Sequence, residues 1–415
     1  MMHLIFNKNK LSTLFFITLI ASAFCGCGEK TGKISGNAPK QAKATPIDEN
    51  LRKRVEEFAK KPRVKGKFAF CVYDLTADKK ISGFNENEAL PCASCMKLLT
   101  GIAGINMLGT QYKYTTSLYT RGRVANGVLL GDLSFKGSLD PQMDASRLSE
   151  FGEAAKKMGI KKIAGRFVVD LALKEPVKSE PHWYPWDLSF SKYGILYKGR
   201  QTVLKNLKKT MRVHGISIAD SQIVQGKVPR GSKRIYASKL SIEDVIKRMW
   251  KNSSNTQATA LLYTIGKHAS PGANPAEAGV SYLRRFLSAE LKQKNSSCVV
   301  HDGCGLCTQN RLSPTALVSI LRFGYRDTSI YGMLCRQLSL SGVDGTLARE
   351  MTGPKTKGKI RAKTGTLSHP YGISSLAGYC KGRNNHLLAF AIMNSDMSVL
   401  DARVLQRKLC ELLVE

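Results

Sequence analysis

The sequence contains few acidic residues. It has 31 Asp and Glu against 64 Lys and Arg, which gives a formal net charge of +33. Such an excess of positive charge attracts nucleic acid, anionic lipid or anionic cell-wall polymer, and it does not choose among them. Beyond the N-terminus no stretch reaches the roughly 20 continuous apolar residues of a membrane span, which excludes a multi-span membrane protein. Hydrophobic residues still make up 43% of the 415 residues and recur from Phe68 onward. The chain is therefore globular, and its length favours two lobes.

Several common catalytic signatures are also missing. The sequence has neither Gly-x-Ser-x-Gly nor His-Glu-x-x-His, and its seven histidines are scattered. These absences argue against a Ser-His-Asp hydrolase and against a helix-borne zinc peptidase site. The segment 353–359 resembles a phosphate-binding loop, but Ile360 stands where that loop needs Ser or Thr. We therefore expect no cofactor.

The N-terminus has the layout of a secretory signal. Basic residues precede a short apolar run over 14–21, and small residues with Cys25 and Cys27 follow it. The end of this segment resembles a bacterial lipoprotein signal, in which the cysteine becomes the lipidated first residue. We predict a signal over 1–27 with lipidation at Cys27, while Cys25 or an ordinary cleaved signal are the alternatives.

Residues 28–49 are rich in Lys, Gly, Ala, Pro, Ser and Thr, which predicts a flexible tether. The predicted location is then outside the cytoplasm, in the periplasm or cell envelope, with a lipid anchor in a bacterial membrane. This location argues against chromosomal nucleic acid as the partner of the basic surface.

The first of three chemical motifs is Ser94-Cys95-Met96-Lys97. A loop with Pro91 leads into an apolar run, which predicts a helix that begins near Ser94. Residues three apart share a helix face, so the Lys97 amine would lie beside the Ser94 hydroxyl and serve as its base. The plainer interpretation is that Ser94 caps the helix and Lys97 is a solvated charge.

The second motif is Ser253-Ser254-Asn255, which follows an amphipathic stretch. A hydroxyl and an amide two residues apart on a loop can point into one cleft, where Ser253 relays a proton and Asn255 holds a substrate carbonyl. Helix capping in a polar loop is the plainer alternative.

The third motif is Lys363-Thr364-Gly365-Thr366, ahead of a strand-like apolar run. Gly365 allows a ligand to approach the backbone closely, and the two threonines offer hydroxyls and amides to a carboxylate near the charge of Lys363. A basic edge strand is the alternative.

The three motifs in this order resemble the signature of the serine penicillin-recognising enzymes. The long stretch between Lys97 and Ser253 resembles the inserted region of the D-alanyl-D-alanine carboxypeptidase/endopeptidase family, the DacB type or class C low-molecular-mass penicillin-binding proteins. Downstream, the segment from His301 to Leu306 and the segment from Gly342 to Leu347 are similar to two further stretches of that family.

The resemblance implies an α/β (α+β) fold: a β-lactamase/transpeptidase-like domain with an antiparallel sheet and a helical subdomain. It implies a catalytic domain formed by residues 50–118 and 230–415, with residues 119–229 as an inserted domain between the first and second motifs.

The resemblance also implies the reaction. Ser94, activated by Lys97, would attack the carbonyl between two D-alanines of a peptidoglycan stem peptide, with the backbone amides of Ser94 and Thr366 stabilising the oxyanion. Ser253, near Lys363, would pass a proton to the leaving amine. The substrate-binding residues are then Asn255, Lys363, Thr364, Gly365 and Thr366. Among them, Asn255 would orient the substrate amide and the two threonines would bind the terminal carboxylate.

The implied activity is a serine-type carboxypeptidase, with endopeptidase cleavage of crosslinks as an extension, and β-lactams would acylate Ser94. Two alternatives stay open. One is a serine β-lactamase, which has the same motifs but rapid deacylation, and the other is a non-catalytic wall-binding lipoprotein.

Departures from the family pattern concern Ser254, which stands where Asp is usual, and Cys304 and Cys307, which replace serines. The pairs Cys92/Cys95 and Cys304/Cys307 are open to three interpretations: a zinc site, disulfides or buried thiols. Because the pairs are far apart and lack nearby His spacing, we assign no metal ligand.

Overall fold

The structure, a computed structural model, describes residues 45–61, 66–294, 296–368 and 372–415. The predicted signal peptide, with Cys27, and residues 28–44 of the predicted tether lie outside the described residues. Within the described ranges, no helix is long and apolar enough to cross a membrane.

The strands follow one another along the chain as β1 (Lys67–Asp74), β2 (Lys79–Phe84), β3 (Leu90–Pro91), β4 (Lys113–Ala125), β5 (Val128–Gly137), β6 (Lys162–Ile163), β7 (Phe167–Leu171), β8 (Ile223–Gln225), β9 (Lys233–Ser241), β10 (Arg311–Leu312), β11 (Ser339–Leu340), β12 (Ile360–Leu367), β13 (Ile373–Lys381) and β14 (Leu387–Ser395). The α-helices are α1 (Glu49–Lys60), α2 (Met96–Leu108), α3 (Ala145–Lys157), α4 (Arg200–Val213), α5 (Ile242–Lys251), α6 (Asn255–Ala269), α7 (Pro275–Arg285), α8 (Pro314–Arg326), α9 (Thr328–Gln337) and α10 (Val399–Val414).

The first sheet has the strand order β11-β12-β13-β14-β1-β2, and its neighbouring strands are antiparallel. Alternate residues of a strand point to opposite faces. In β1, Phe68, Phe70 and Val72 therefore pack in the core shared with α1 and α10, whereas Ala69 and Cys71 pack in the core shared with α2 and α8. Helices thus cover both faces of this sheet.

One edge of β12 faces the start of α2. Within the described residues, β11 pairs with only Arg361 and Ala362, so the edge of β12 from Lys363 onward has no neighbouring strand on that side. The Cys95 thiol donates to the Lys363 carbonyl at 3.3 Å. This contact places the turn that carries Ser94 against the strand that carries the third motif.

Helix α2 is buried along ten consecutive residues, Met96–Ile105, because it packs against helices α5, α6 and α8 in the core that also includes one face of the first sheet. The Trp250 indole of α5 donates to the Lys97 carbonyl at 2.8 Å. Gly101 makes room for this ring, since a Cβ there would lie 2.5 Å from Trp250. The apolar run after the first motif therefore forms the central helix that fixes the motif.

The second sheet has the order β8-β7-β5-β4-β9, with β6 beside β5. Its β4–β5 and β4–β9 pairs are antiparallel, while β5, β7 and β8 run parallel to one another. Phe135 of β5, Phe151 of α3 and Leu207 of α4 belong to its separate core.

This second sheet runs in the chain from β4 to β9, so the boundary expected after residue 118 falls inside β4. The other boundary, before residue 230, falls between β8 and β9. Thr45–Glu415 form one compact unit by their contacts, and the division into a catalytic and an inserted domain stays a prediction.

The apolar segments 68–73, 80–84 and 386–393 predict strands, and the amphipathic segment 400–414 predicts a helix. The structure confirms them as β1, β2, β14 and α10. The helix expected to begin near Ser94 begins with a 3₁₀ turn, Ala93–Cys95, and becomes α-helical at Met96.

Candidate active site

The three motifs, far apart in the sequence, line one cleft of about 360 Å³. Ser94 comes from the turn before α2, Ser253 from the loop between α5 and α6, and Thr364 and Thr366 from β12. A hydroxyl of the first motif, a hydroxyl of the second and the strand of the third therefore face the same space.

The side chains of the first motif contact each other. The Lys97 Nζ lies 2.8 Å from Ser94 Oγ, and Lys97 is fully buried. The alternative of a solvated Lys97 is thus wrong. Ser94 does not cap α2 either, since its N-cap is Cys95 and makes no side-chain capping bond.

The Lys97 amine has two further partners, the Asn255 Oδ1 at 2.7 Å and the Cys304 carbonyl at 2.5 Å. Both oxygens can only accept, whereas the Ser94 hydroxyl can donate or accept. A neutral amine that donates to Asn255 and Cys304 therefore keeps its lone pair for the Ser94 hydroxyl. Burial favours this neutral form because it lowers the pKa of Lys97.

The second motif is held by an unusual backbone. Ser253 has φ +56°, a left-handed conformation that costs a non-glycine residue about 1–2 kcal/mol. Ser254 is the N-cap of α6 and its hydroxyl accepts from the Gln257 amide at 3.4 Å. Asp and Ser are both good N-caps, which explains why Ser254 can replace the Asp of the family pattern.

The third motif contributes a second buried amine. The Lys363 Nζ donates to Ser253 Oγ at 2.9 Å and to the Thr364 carbonyl at 2.6 Å. Burial is the main cause that lowers the pKa of Lys363, to about 7, and Lys97 adds to the effect when it carries a proton. Lys363 therefore lies within the cleft wall as a group that can gain or lose a proton near neutral pH.

Gly365 is required by close packing. A Cβ at this position would lie 2.2 Å from Ser375 Oγ and 2.7 Å from the Cys92 carbonyl. The glycine of the third motif thus lets β12 approach the turn that carries Ser94, in addition to any room it leaves for a ligand.

The wall that carries the Cys304 carbonyl is fixed by Asp302. This buried carboxylate accepts from the amides of Cys304 at 3.0 Å, Gly305 at 2.6 Å and Cys307 at 2.8 Å. Gly305 has φ +83°, and a Cβ there would lie 1.9 Å from the Ala93 carbonyl. The segment therefore packs directly on the turn before Ser94.

Several residues of the site escaped the motif analysis. Thr346, whose hydroxyl accepts from the Thr364 hydroxyl at 2.8 Å, lies in a stretch that resembles the family but has no motif of its own. Arg403 and Arg407 of α10 line the cleft as well. Their spacing marks one face of a helix, but no sequence signal places that face beside Ser94.

The nine cysteines that the structure describes are free thiols. Among these residues the buried-thiol interpretation therefore fits, and the disulfide interpretation does not. Burial raises the pKa of Cys92 and Cys95, so the two thiols that flank Ser94 stay protonated and unreactive.

A profile of the D-Ala-D-Ala carboxypeptidase 3 (S13) family matches residues 51–194 and 196–414. The chain belongs to this family. As an S13 member it is a serine peptidase, and the predicted family and enzyme class are confirmed.

Among relatives of this S13 protein is the D-alanyl-D-alanine carboxypeptidase DacB of Haemophilus influenzae, 22% identical, with 77% of this chain and 84% of that protein covered. The crystal structure of penicillin binding protein 4 (dacB) from Haemophilus influenzae matches with a TM-score of 0.72 at 19% identity, covering 86% of this chain and 99% of that one. Bd3459, a predatory peptidoglycan endopeptidase from Bdellovibrio bacteriovorus, matches with a TM-score of 0.57 at 17% identity, covering 84% and 91%. The structural matches confirm the predicted fold.

Proposed function

We propose that the protein cleaves the bond between the two terminal D-alanines of peptidoglycan stem peptides through an ester on Ser94. The observation that carries this assignment is the position of the Lys97 amine. It is buried and donates hydrogen bonds to two oxygens that can only accept, which leaves its lone pair directed at the Ser94 hydroxyl.

In the acylation step, the Ser94 oxygen bonds to the scissile carbonyl carbon as its proton moves to Lys97. The backbone amides of Ser94 and Thr366 donate to the oxygen that becomes negative, which is the strongest use of fixed donors in such a site. The positive charge that Lys97 gains is shielded from bulk water, because this amine is fully buried.

The C–N bond then breaks, and the departing amine needs a proton. Ser253 supplies it through its hydroxyl, which is replenished along the 2.9 Å contact with Lys363. Asn255 orients the substrate amide while its Oδ1 holds Lys97. Water then attacks the ester carbonyl and gives a proton, through Ser253, to Lys363. Lys97 returns its proton to the Ser94 oxygen as the ester C–O bond breaks, which restores both amines and the serine to their starting states.

The substrate carboxylate is bound at the cationic side of the cleft. Thr364 and Thr366 offer hydroxyls beside the buried Lys363, and Arg407 adds positive charge from α10, whereas Arg403 lines the cleft as an ion pair with Glu350 at 2.9 Å. A terminal carboxylate at this point places the preceding peptide bond next to Ser94, and the open edge of β12 is available to pair with an extended peptide.

The same site accommodates two related reactions. Crosslinks that present a D-Ala amide to Ser94 would be cleaved as by an endopeptidase. A β-lactam carries a carboxylate beside a strained amide, so it would acylate Ser94 and leave slowly.

We also propose that the mature chain is held at a bacterial membrane by a lipid on Cys27 and acts in the periplasm. The support is the lipoprotein-like signal over 1–27 and the net positive charge, which favours anionic envelope polymers. No nucleic acid partner is proposed.

The test is release of D-alanine from a synthetic stem peptide ending in D-Ala-D-Ala, measured for the wild type and Ser94→Ala. Wild-type release with none from Ser94→Ala supports the assignment. Fast wild-type hydrolysis of a chromogenic cephalosporin without D-alanine release would instead establish the β-lactamase. No turnover of either compound would leave the wall-binding alternative.

A further inference from the structure

A second cluster of reactive side chains lies outside the cleft that contains Ser94. Glu180 and His182 come from the long segment between β7 and α4, while His301 and Cys307 come from the segment before β10. Their donor atoms all lie within 4.8 Å of one another. The proposed reaction uses none of these four side chains.

The distances within this cluster approach those around a tetrahedral metal ion. Glu180 Oε1 lies 2.7 Å from His182 Nδ1 and 3.8 Å from His301 Nδ1. Zinc bonds of about 2.0–2.3 Å place tetrahedral ligand atoms about 3.3–3.7 Å apart. The observed separations bracket this range, so small side-chain movements suffice to enclose an ion.

The surroundings of the cluster fix its ligands. The His182 amide donates to Glu180 Oε2 at 2.8 Å, which orients the carboxylate, and the Cys307 amide donates to Asp302. Cys307 is buried, whereas the His182 side chain is 45% exposed. A cleft of about 1020 Å³, lined in part by Glu180 and His301, gives an ion access from solvent.

We propose that Glu180, His182, His301 and Cys307 bind one Zn²⁺ ion. One thiolate, two neutral imidazoles and one carboxylate are typical zinc ligands, and their two negative charges balance the ion. On binding, the Cys307 thiol loses its proton to solvent and the sulfur bonds to the metal. The proposal also gives a chemical use to Cys307, which stands where the family pattern has serine.

The metal would join two segments that already touch near the catalytic lysine. The Trp183 indole donates to Asp302 Oδ2 at 2.7 Å, and Asp302 holds the amide of Cys304, whose carbonyl accepts from Lys97. A zinc ion at the cluster would therefore hold the two segments together and stabilise the wall behind Lys97. Its ligands are positioning residues with no contact to the reacting atoms.

The test is Co²⁺ binding to the chelator-stripped protein under reducing, oxygen-free conditions, followed by competition with Zn²⁺. We expect one equivalent of Co²⁺ with the visible bands of a tetrahedral site and a thiolate-to-cobalt charge-transfer band. Cys307→Ser should abolish that band, and His182→Ala should weaken binding by more than the roughly 10–100-fold that loss of an outer partner costs. Cys335→Ser, which changes a thiol of α9, should leave both unchanged.

Because His182 is largely exposed, its variant keeps the test decisive even if Cys307→Ser folds poorly. The proposal is overturned if the wild type binds less than one equivalent of Co²⁺ or lacks the charge-transfer band. It is also overturned if His182→Ala binds Co²⁺ with the same affinity as the wild type. The measurement can be repeated in Ser94→Ala, so it is independent of the proposed reaction. Zinc should also raise the melting temperature of the wild type but not of His182→Ala.

Discussion

At the scale of single residues, the site depends on two buried lysines with different neighbours. Lys97 has two oxygen acceptors and a hydroxyl, while Lys363 has a hydroxyl and a backbone carbonyl. Within the part of the chain that the structure describes, neither amine is hydrogen-bonded to a carboxylate, so burial dominates and lowers both pKa values. Two amines that are easily neutral can accept and return protons during acyl transfer.

Replacing Lys97 with methionine should remove the base and preserve the apolar packing of α2. We expect the rate of Ser94 acylation by benzylpenicillin to fall about 10²–10⁴-fold, the range typical of a lost general base. The measurement is the pseudo-first-order rate of adduct formation. Lys209→Met, a change on the exposed face of α4, is the control, and a Lys97→Met rate within tenfold of the wild type would disprove the role.

Lys363 should make the stability of the fold depend on pH. Its pKa is about 7 in the folded chain and about 10.5 when unfolded, so between these values the unfolded chain binds the proton and the folded chain does not. The free energy of unfolding should therefore rise with pH across this window. Below pH ~7 the buried amine is protonated, and burying its charge lowers the free energy of unfolding by a few kcal/mol, at about 1.4 kcal/mol per pKa unit.

Lys363→Met should consequently be more stable than the wild type at pH 7, with the difference shrinking toward pH 10. Urea unfolding at the two pH values measures it. A variant that is less stable at pH 7, or a difference that does not change with pH, would show that the amine is not buried as described.

At the scale of elements, the turn before Ser94 depends on the segment that packs on it. Gly305→Ala would place a methyl group 1.9 Å from the Ala93 carbonyl and also force alanine into a left-handed backbone. Gly215→Ala pays a similar backbone cost of about 1–2 kcal/mol, at φ +75°, but meets nothing within 4 Å.

We therefore expect Gly215→Ala to lower stability without changing the acylation rate. Gly305→Ala should lower stability further and slow acylation about 10²-fold, because it displaces the reacting Ser94. Thermal unfolding and adduct formation provide the two readouts. Equal behaviour of the two variants would mean that the Gly305 segment does not position Ser94.

The elements that the sequence predicted well are those with a strong local pattern. The alternating and apolar runs of β1, β2 and β14 and the amphipathic α10 were all located to within a few residues. The sequence also predicted which side chains would meet. The Ser94–Lys97 contact follows from the spacing of three residues on a helix, and the meeting of all three motifs follows from their resemblance to a known signature in the same order.

The site residues that the sequence did not predict are brought together by long-range packing. The Cys304 carbonyl beside Lys97 results from a buried Asp302 that folds its segment inward, and nothing local marks a carbonyl as functional. Arg403 and Arg407 reach the cleft only because α10 packs on the first sheet. The cluster of Glu180, His182, His301 and Cys307 likewise needs two distant segments to meet.

At the scale of the whole molecule, the proposed lipid on Cys27 predicts that the full chain is attached to a membrane. If Cys27 carries the proposed lipid, expression of the full chain with Cys27→Ala should move the protein from the membrane pellet to the soluble fraction, because this variant has no thiol to lipidate at that position. Cys25→Ala should remain in the pellet. Release by Cys25→Ala, or retention of Cys27→Ala, would contradict the assignment of Cys27.

The central claim is that Ser94 becomes the acyl carrier when three distant motifs close one cleft. Intact-mass spectrometry after brief exposure to benzylpenicillin tests it most directly, with Ser94→Ala as the matched control. The account predicts a single, slowly released adduct on the wild type and none on Ser94→Ala. An adduct of equal yield on Ser94→Ala, or no adduct on the wild type, would contradict it.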